Sequence, residues 1–313
     1  MTHPVLRIGT RGSPLALKQA ELLLSALATA HPDLNEPGAI EVVPIHTSGD
    51  RIQDRTLAEA GGKGLFTKEI EEALLAGAVD LAVHSAKDMQ TWLPSGLAIG
   101  AVLPREDPRE ALFSSSGARS LAQLPRGAVL GTASLRRQAQ ALMRQPDLKV
   151  VPFRGNVETR LRKLRQGLAD ATLLAVAGLK RLGRADLLDA ILEPEEVLPA
   201  VGQGTIAIEI RAGEARLEAL LAALTHPPTA ACLAAERTLL AVLDGSCRTP
   251  IAGLAEPVGA DRLRLRALIA LPDGSKAHEE EGEGEIADAE TLGRELGRRL
   301  LAKAGPQFLR SLK

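Results

Sequence analysis

The stretch RIGTRGSPLALKQAELLLSALA, residues 7–28, decides the fold class of this chain. Its first four residues are typical of the end of a β-strand, and the residues after Ser13 have the composition of a helix. Ser13 is suited to an N-cap and Pro14 to the first helical position, so a helix is predicted over Leu15–Ala28. The junction between strand and helix therefore falls at Arg11 and Ser13.

The same order of elements recurs in the middle of the chain. AVLGTA, residues 128–133, predicts a buried strand, Ser134 an N-cap, and a helix follows over Leu135–Leu142. Arg136 and Arg137 lie at this second junction. Runs rich in Val and Ile alternate with helical patterns elsewhere, which predicts an α/β fold with mainly parallel or mixed sheets. The other predicted strands are residues 40–45, 80–84, 98–102, 150–153, 171–175 and 205–210.

Two proline-containing breaks divide this α/β region. PREDP at residues 104–108 and LPAVGQG at residues 198–204 interrupt the pattern. The chain is therefore predicted to cross twice between two lobes that enclose a cleft. The predicted domains are residues 1–103 with 204–222, residues 108–198, and a third domain over residues 226–313.

The pattern changes in the third domain, which is predicted to be small and α+β. Its predicted elements are a helix over residues 229–242, strands over 251–256, 262–269 and 276–281, and a helix over 288–303. In RLRLRA, residues 262–267, arginines alternate with apolar residues, which indicates the solvent face of a strand. These arginines are given no function.

Composition argues against several classes of function. The 313 residues carry a net charge of −1 and are 45% hydrophobic, 25% charged and 2% aromatic. This balance favours a small-molecule ligand and argues against nucleic acid. No apolar run approaches the roughly 20 residues that cross a membrane, and no secretion pattern is present, so we expect a cytoplasmic protein. Two cysteines and six histidines without ligand spacing predict neither a disulfide framework nor a metal site.

Basic residues follow several of the predicted strands. Any one of them alone is most simply a solvated surface residue. Five at equivalent strand ends favour a site for a ligand with several carboxylates, because ligands of open α/β sheets bind beyond the carboxyl ends of the strands. Arg suits such a ligand, since its planar fork holds a carboxylate by two parallel bonds. The five residues are Arg11, Lys87, Arg136, Arg137 and Arg154.

Two further segments carry candidate chemistry. HSAKD, residues 84–88, ends an apolar strand with polar side chains. Asp88 could simply cap a turn, but a carboxylate among many cations suits the stabilisation of a developing positive charge. GGKGLFTKE, residues 61–69, lacks the spacing of a phosphate-binding loop and is interpreted as a flap before an amphipathic helix that buries Ile70 and Leu74.

The two cysteines have different surroundings. Cys247 is predicted in a loop beside Arg248, and a neighbouring cation favours the nucleophilic thiolate. Cys232 is predicted to lie in a helix among alanines and leucine, as an inert core residue. No Cys–His pairing supports hydrolase chemistry, and a loop cysteine without function is the other interpretation of Cys247.

Taken together, these segments resemble the porphobilinogen deaminase family, also called hydroxymethylbilane synthases. The resemblance is strong from about Arg7 to Ile251 and general beyond it. The matching segments, in the family's order, surround Arg11, Asp50, Gly61 to Glu69, His84 to Asp88, Thr132 to Arg137, Arg154 to Arg160, Ala175 to Leu182, Pro199 to Gly204 and Cys247.

This resemblance implies a three-domain enzyme whose first two domains are similar to the lobes of type II periplasmic binding proteins. It also implies that Cys247, in the third domain, carries a dipyrromethane cofactor through a thioether. The implied reaction condenses four porphobilinogen molecules head to tail, releases ammonia at each step, and yields the linear tetrapyrrole hydroxymethylbilane. A monomer is implied as well, while charge, aromatic content and the length of the apolar runs predict no nucleic-acid or membrane partner.

The resemblance also implies roles for single residues. Asp88 is the implied catalytic group, placed against the cation that forms when ammonia leaves. The implied cofactor contacts are Cys247, Ser13, Lys87, Asp88, Arg136 and Arg137. The implied substrate contacts are Arg11, Ser13, Lys63, Ser85, Arg154, Arg160 and Arg181.

Three positions depart from the pattern expected of the family. Glu59 lies where a lysine is frequent, Gln90 where a proline often follows the Lys-Asp pair, and Ser246 where glycine is common. The alternative from another class is a two-lobed ligand-binding or sensing module without catalysis, since fold alone does not fix function. The pairing of Cys247 with Asp88 favours the enzyme.

Overall fold

The computed structural model describes residues 6–51, 64–243 and 249–312. The chain divides into two compact units. Of the described residues, 6–51, 64–106 and 205–230 belong to unit 1, and 107–204, 231–243 and 249–312 belong to unit 2. Each unit is built around its own sheets.

The bounds of the elements are as follows. The described strands are β1 Leu6–Arg11, β2 Ile40–Ile45, β3 Leu81–Ser85, β4 Leu97–Val102, β5 Glu110–Ser114, β6 Val129–Gly131, β7 Lys149–Val151, β8 Ala171–Ala175, β9 Ala190–Leu192, β10 Ile206–Arg211, β11 Ile251–Val258, β12 Arg262–Ala270 and β13 Ala277–Glu285. The described α-helices are α1 Pro14–Ala30, α2 Ser48–Arg51, α3 Lys68–Leu75, α4 Leu135–Arg144, α5 Val157–Arg165, α6 Val176–Arg181, α7 Ala215–Ala222, α8 Pro227–Val242 and α9 Ala289–Ser311.

Unit 1 contains a sheet of strand order β2-β1-β3-β10-β4. β1 runs parallel to β2 and β3, whereas β10 runs antiparallel to both β3 and β4. Its core includes Ile8 from β1, Leu23 and Leu27 from α1, and Leu81 from β3, all 0% exposed. The apolar stripe of α1 thus covers the parallel part of the sheet.

Unit 2 contains a sheet of order β7-β6-β8-β5-β9. β6 runs parallel to β7 and β8, and β5 runs antiparallel to β8 and β9. Both sheets therefore consist of three parallel strands, an antiparallel fourth strand and a fifth strand paired with it. In each sheet the fourth strand is the first one after the chain enters from the other unit. The predicted fold class is confirmed.

The remainder of unit 2 is a small α+β arrangement. β11, β12 and β13 form an antiparallel sheet that packs against residues of α8 and α9. Leu263 and Leu265 of β12 are 0% exposed, while Arg262 and Arg264 point away and pair with Glu283 and Glu281. The predicted solvent face of this strand is confirmed for these two arginines.

The two strand-to-helix junctions are confirmed. The Ser13 hydroxyl accepts a hydrogen bond from the Ala16 N–H at 3.3 Å, and the Ser134 hydroxyl accepts one from the Arg137 N–H at 3.4 Å. Two strands, β5 and β9, lie outside the predicted set. None of the helices in the described parts of the chain combines the length and apolar character that spanning a membrane requires.

Candidate functional site

Unit 1 brings several predicted site residues to one edge of its sheet. Because β1 and β3 are parallel neighbours, their carboxyl ends lie at the same edge. Arg11 ends β1, Ser85 ends β3, and Lys87 and Asp88 lie in the short 3-10 turn that follows. The Gln19 amide of α1 donates to the Ser85 hydroxyl at 2.8 Å, which ties the helix to the end of β3.

The orientation of Arg11 depends on an aromatic residue that the sequence did not single out. The guanidinium carbon of Arg11 lies 4.4 Å from the centre of the Phe66 ring. Such a cation–π contact attracts the guanidinium to the ring face. Phe66 precedes α3, so the segment interpreted as a flap supplies a contact to a predicted substrate-binding residue. Ile70 and Leu74 of α3 are 0% exposed, as predicted.

A buried polar cluster supports the turn that carries Asp88. His84 Nε2 lies 3.0 Å from Glu209 Oε2, and these residues are only 4% and 0% exposed. Glu71 of α3 is 2% exposed, and its Oε2 accepts a hydrogen bond from the Gln90 amide at 2.7 Å. Burial, reinforced by the Glu209 carboxylate, raises the pKa of Glu71 above its ordinary value. Gln90, two residues after Asp88, is thus hydrogen-bonded to α3.

Unit 2 places its predicted cations after three parallel strands. Arg136 and Arg137 lie in the first turn of α4, after β6. Arg154 follows β7, and Arg160 lies on α5. Arg181 ends α6, which follows β8 directly. These strands are neighbours in the sheet, so the residues that follow them begin at the same edge.

Two of these arginines share one buried carboxylate. Arg137 donates from Nε and Nη2 to the two oxygens of Glu110 at 3.0 and 2.8 Å, and Arg136 donates from Nη2 to the same Glu110. Arg136 Nη1 also donates to the Leu198 carbonyl at 2.8 Å. Glu110 is 0% exposed and each arginine 6%. Burial, together with the adjacent Arg137 and against the opposing effect of Glu110, lowers the pKa of Arg136.

Backbone carbonyls orient other arginines of unit 2. Arg160 Nε donates to the Gly155 carbonyl at 2.9 Å, and Arg181 Nη2 donates to the Gly204 carbonyl at 2.6 Å. Gly155 has φ +117°, and a Cβ there would lie 2.5 Å from the Thr159 methyl group, so only glycine fits. Asn156 is the N-cap of α5, since its side chain accepts a hydrogen bond from the Thr159 N–H at 2.9 Å.

The described geometry is that of two cation-rich sheet edges, and comparison with known proteins gives it a family. Residues 6–219 match the family model described as porphobilinogen deaminase, dipyromethane cofactor binding domain, and residues 230–302 match that of the porphobilinogen deaminase C-terminal domain. The chain belongs to the porphobilinogen deaminase family. The predicted resemblance to this family is confirmed, and so is the predicted dipyrromethane cofactor.

Individual porphobilinogen deaminases agree with the family assignment. Those of Nitrobacter winogradskyi and Nitrobacter hamburgensis are each 56% identical over 307 residues, which cover 98% of this chain and 96% of theirs. Among solved structures, the periplasmic VFT2 domain of Bordetella pertussis BvgS is similar at 16% identity and a TM-score of 0.42, covering 71% of this chain and 87% of its own. A TRAP periplasmic solute binding protein of Pseudomonas aeruginosa is similar at 15% identity and a TM-score of 0.41, covering 70% and 82%.

Some residues predicted for this porphobilinogen deaminase site lie outside the described residues. They are Lys63 and Cys247, and the departing positions Glu59 and Ser246 also lie outside the described residues. Cys232 is 3% exposed in the core of the C-terminal sheet and helices, as predicted. Within the described residues, no group of three or more His, Cys, Asp or Glu side chains could hold a metal ion.

Proposed function

We propose that this chain condenses four porphobilinogen molecules head to tail into hydroxymethylbilane, with one ammonia released at each step. The observation that carries this proposal is the match of both family models, over residues 6–219 and 230–302. The dipyrromethane cofactor, when bound, supplies the primer to which the first substrate is joined. The remaining steps are assigned to side chains of this chain.

The cations at the two sheet edges bind the carboxylates of the pyrroles. Each porphobilinogen carries an acetate and a propionate group, so a growing chain presents many carboxylates. In unit 1 we assign carboxylate binding to the cations of Arg11 and Lys87 and to the hydroxyl groups of Ser13 and Ser85. In unit 2 we assign it to Arg136, Arg137, Arg154, Arg160 and Arg181. Lys63 completes the set. Orientation by Phe66 and by backbone carbonyls supports the assignment, since it holds guanidinium forks in place before a ligand binds.

Asp88 is assigned the catalytic role. Loss of ammonia from the aminomethyl group of porphobilinogen leaves positive charge on the pyrrole, and a fixed carboxylate stabilises that charge as it develops. A carboxylate also accepts hydrogen bonds from pyrrole N–H groups. The support beneath the turn, through His84, Glu209 and Glu71, favours a fixed position for Asp88.

Cys247 is assigned the covalent attachment of dipyrromethane. The segment DGSCRT places it beside Arg248, and a neighbouring cation favours the thiolate that forms a thioether. The described residues fit such a group in one respect, because dipyrromethane brings carboxylates and the sheet edges bring cations. We further propose three domains, residues 1–103 with 204–222, 108–198 and 226–313, in a cytoplasmic monomer.

The intact mass of the purified, denatured protein tests this function. We expect an excess of one dipyrromethane over the mass calculated from the sequence, carried by the peptide that contains Cys247. The Cys247→Ser variant should lack the excess, and Cys232→Ser, a matched change at the buried cysteine, should retain it. A second assay adds porphobilinogen and develops porphyrin colour with acid. Folded, modified protein that forms no porphyrin contradicts the proposed reaction.

A further inference from the structure

Glu110 is a carboxylate in a buried strand. It begins β5, and its Cα lies opposite Ala175, the last residue of β8, and Leu192, the last residue of β9. This register puts Glu110 at the edge of the sheet where the parallel strands end, beside the first turn of α4. A carboxylate that is 0% exposed needs charged or hydrogen-bonding partners, and here the partners include Arg136 and Arg137.

The charges of this triad do not cancel. Two guanidinium groups and one carboxylate sum to +1, and the guanidinium groups belong to the N-terminal turn of a helix, where the helix dipole disfavours cations. A structural ion pair would need only one arginine. The second arginine therefore leaves one positive charge for a ligand, and each arginine keeps 6% of its surface exposed.

The contact between Glu110 and Arg137 has the geometry of ligand binding. Arg137 donates to both oxygens of Glu110, at 3.0 and 2.8 Å, which is a bidentate contact of the kind that arginines make with free carboxylates. Arg136 is held from the other side by the Leu198 carbonyl at 2.8 Å. Glu110 therefore holds both arginine side chains in position through its own carboxylate.

We propose that Glu110 is a positioning residue, the resident counter-ion of the Arg136–Arg137 pair, and that it leaves this pair with charge for one ligand carboxylate. The proposal rests on the proposed role of the two arginines in binding pyrrole carboxylates. It adds that one ligand carboxylate, not two, is neutralised at this place.

Removal of the Glu110 charge tests the proposal. In Glu110→Gln two buried cations remain with no carboxylate, so the thermal unfolding midpoint should fall by about 10 °C. A small carboxylate should then replace the missing group. Replacing sodium chloride by sodium propionate at constant ionic strength should restore at least a third of the loss, and wild type should shift by less than the variant, because Glu110 already neutralises one of its two positive charges.

Glu209→Gln is the matched control. Glu209 also lies buried on the antiparallel fourth strand of its sheet, but it lies against one histidine, His84, so its replacement does not leave two guanidinium groups without a carboxylate. This variant should lose stability without gaining a response to propionate. Glu110→Asp keeps the charge on a shorter side chain, so its propionate response should lie between those of wild type and Glu110→Gln.

The outcomes separate the two proposals. Equal propionate shifts in wild type and Glu110→Gln overturn the counter-ion role. If Glu110→Gln does not fold, Glu110→Asp carries the test, and a shift equal to that of wild type overturns the role in the same way. A wild-type protein that makes no tetrapyrrole contradicts the proposed function but leaves the propionate comparison intact, because that comparison uses no turnover. Samples are compared at the same mass excess over the mass calculated for each variant, so that their cofactor content is the same.

Discussion

The five-stranded sheets of the two units have the same arrangement of parallel and antiparallel strands, and each buries a glutamate on its antiparallel fourth strand. The two glutamates nevertheless have different neighbours. Glu209 lies opposite Ala82, three residues before the end of β3, and pairs with His84. Glu110 lies opposite Ala175, at the end of β8, and contacts two arginines. Three residues of strand correspond to about 10 Å.

This difference shows how depth along a strand decides what a buried charge does. A glutamate in the middle of a sheet can meet only other buried groups, so in unit 1 it forms a cluster beneath the site. A glutamate at the carboxyl edge meets the residues that follow the parallel strands, and in unit 2 these are the two arginines for which we propose ligand binding. Three experiments test whether this division holds.

The largest effect is expected at the edge of unit 1. Asp88→Asn removes the charge that opposes the developing cation, so kcat should fall by about 100- to 1000-fold while the unfolding midpoint stays within about 2 °C of wild type. Asp147→Asn serves as control, because Asp147 is a half-exposed surface residue whose partner is Arg126 at 3.4 Å. Near-normal kcat in Asp88→Asn contradicts the catalytic assignment.

A smaller effect is expected at the edge of unit 2. Arg136→Met leaves a neutral pair of Arg137 and Glu110, so KM should rise about tenfold, or about 1.4 kcal/mol of binding free energy, with less change in kcat. The loss of stability should be smaller than in Glu110→Gln, since no unpaired charge remains buried. Arg126→Met, at a side chain 88% exposed, should change neither quantity. A greater destabilisation by Arg136→Met than by Glu110→Gln would reverse the charge argument.

The smallest effect is expected in the buried cluster of unit 1, and it depends on pH. Because the folded pKa of Glu71 lies above its ordinary 4.5, the folded protein favours the protonated acid. Wild type should therefore lose stability as pH rises from the unfolded-state pKa through the folded-state pKa, whereas Glu71→Gln cannot ionise. At neutral pH the variant should be more stable by on the order of 1 kcal/mol.

Urea unfolding between pH 5 and 9 measures this effect. The groups that face Glu71 are Thr67, His84 of β3, Glu209 of β10 and Gln90. Glu72→Gln is the control on the same helix, since Glu72 is 64% exposed and lies 3.8 Å from Lys68. Parallel pH profiles for wild type and Glu71→Gln would show that the carboxyl group is ionised throughout, and the cluster would then need a different account.

Local sequence signals predicted much of this architecture. Ser13 and Ser134 identified both strand-to-helix junctions because an N-cap acts within three residues of chain. The family, its cofactor and the fold class followed from the order of segments. The residue assignments at the sheet edges remain predictions, although each described residue lies at the end of a strand or in the turn or helix that follows one.

The residues that the sequence did not reveal act through distant partners. Glu110 meets arginines 26 and 27 residues away, and Glu209 meets a histidine from another part of the sheet. β5 itself was not predicted, because it begins with Glu110, and an analysis of hydrophobic periodicity treats a charged residue as exposed. The strand that breaks the pattern is the strand that carries the proposed counter-ion, as expected where function overrides local rules.

The antiparallel fourth strand also affects the order of folding during synthesis. In the sheet of unit 1, β4 Leu97–Val102 pairs only with β10 Ile206–Arg211 among the described strands. A ribosome makes β10 after every strand of the β7-β6-β8-β5-β9 sheet of unit 2, whose last strand in the sequence ends at Leu192. The nascent chain can therefore finish the second sheet first, while the apolar residues of β4 await a partner over a long sequence separation.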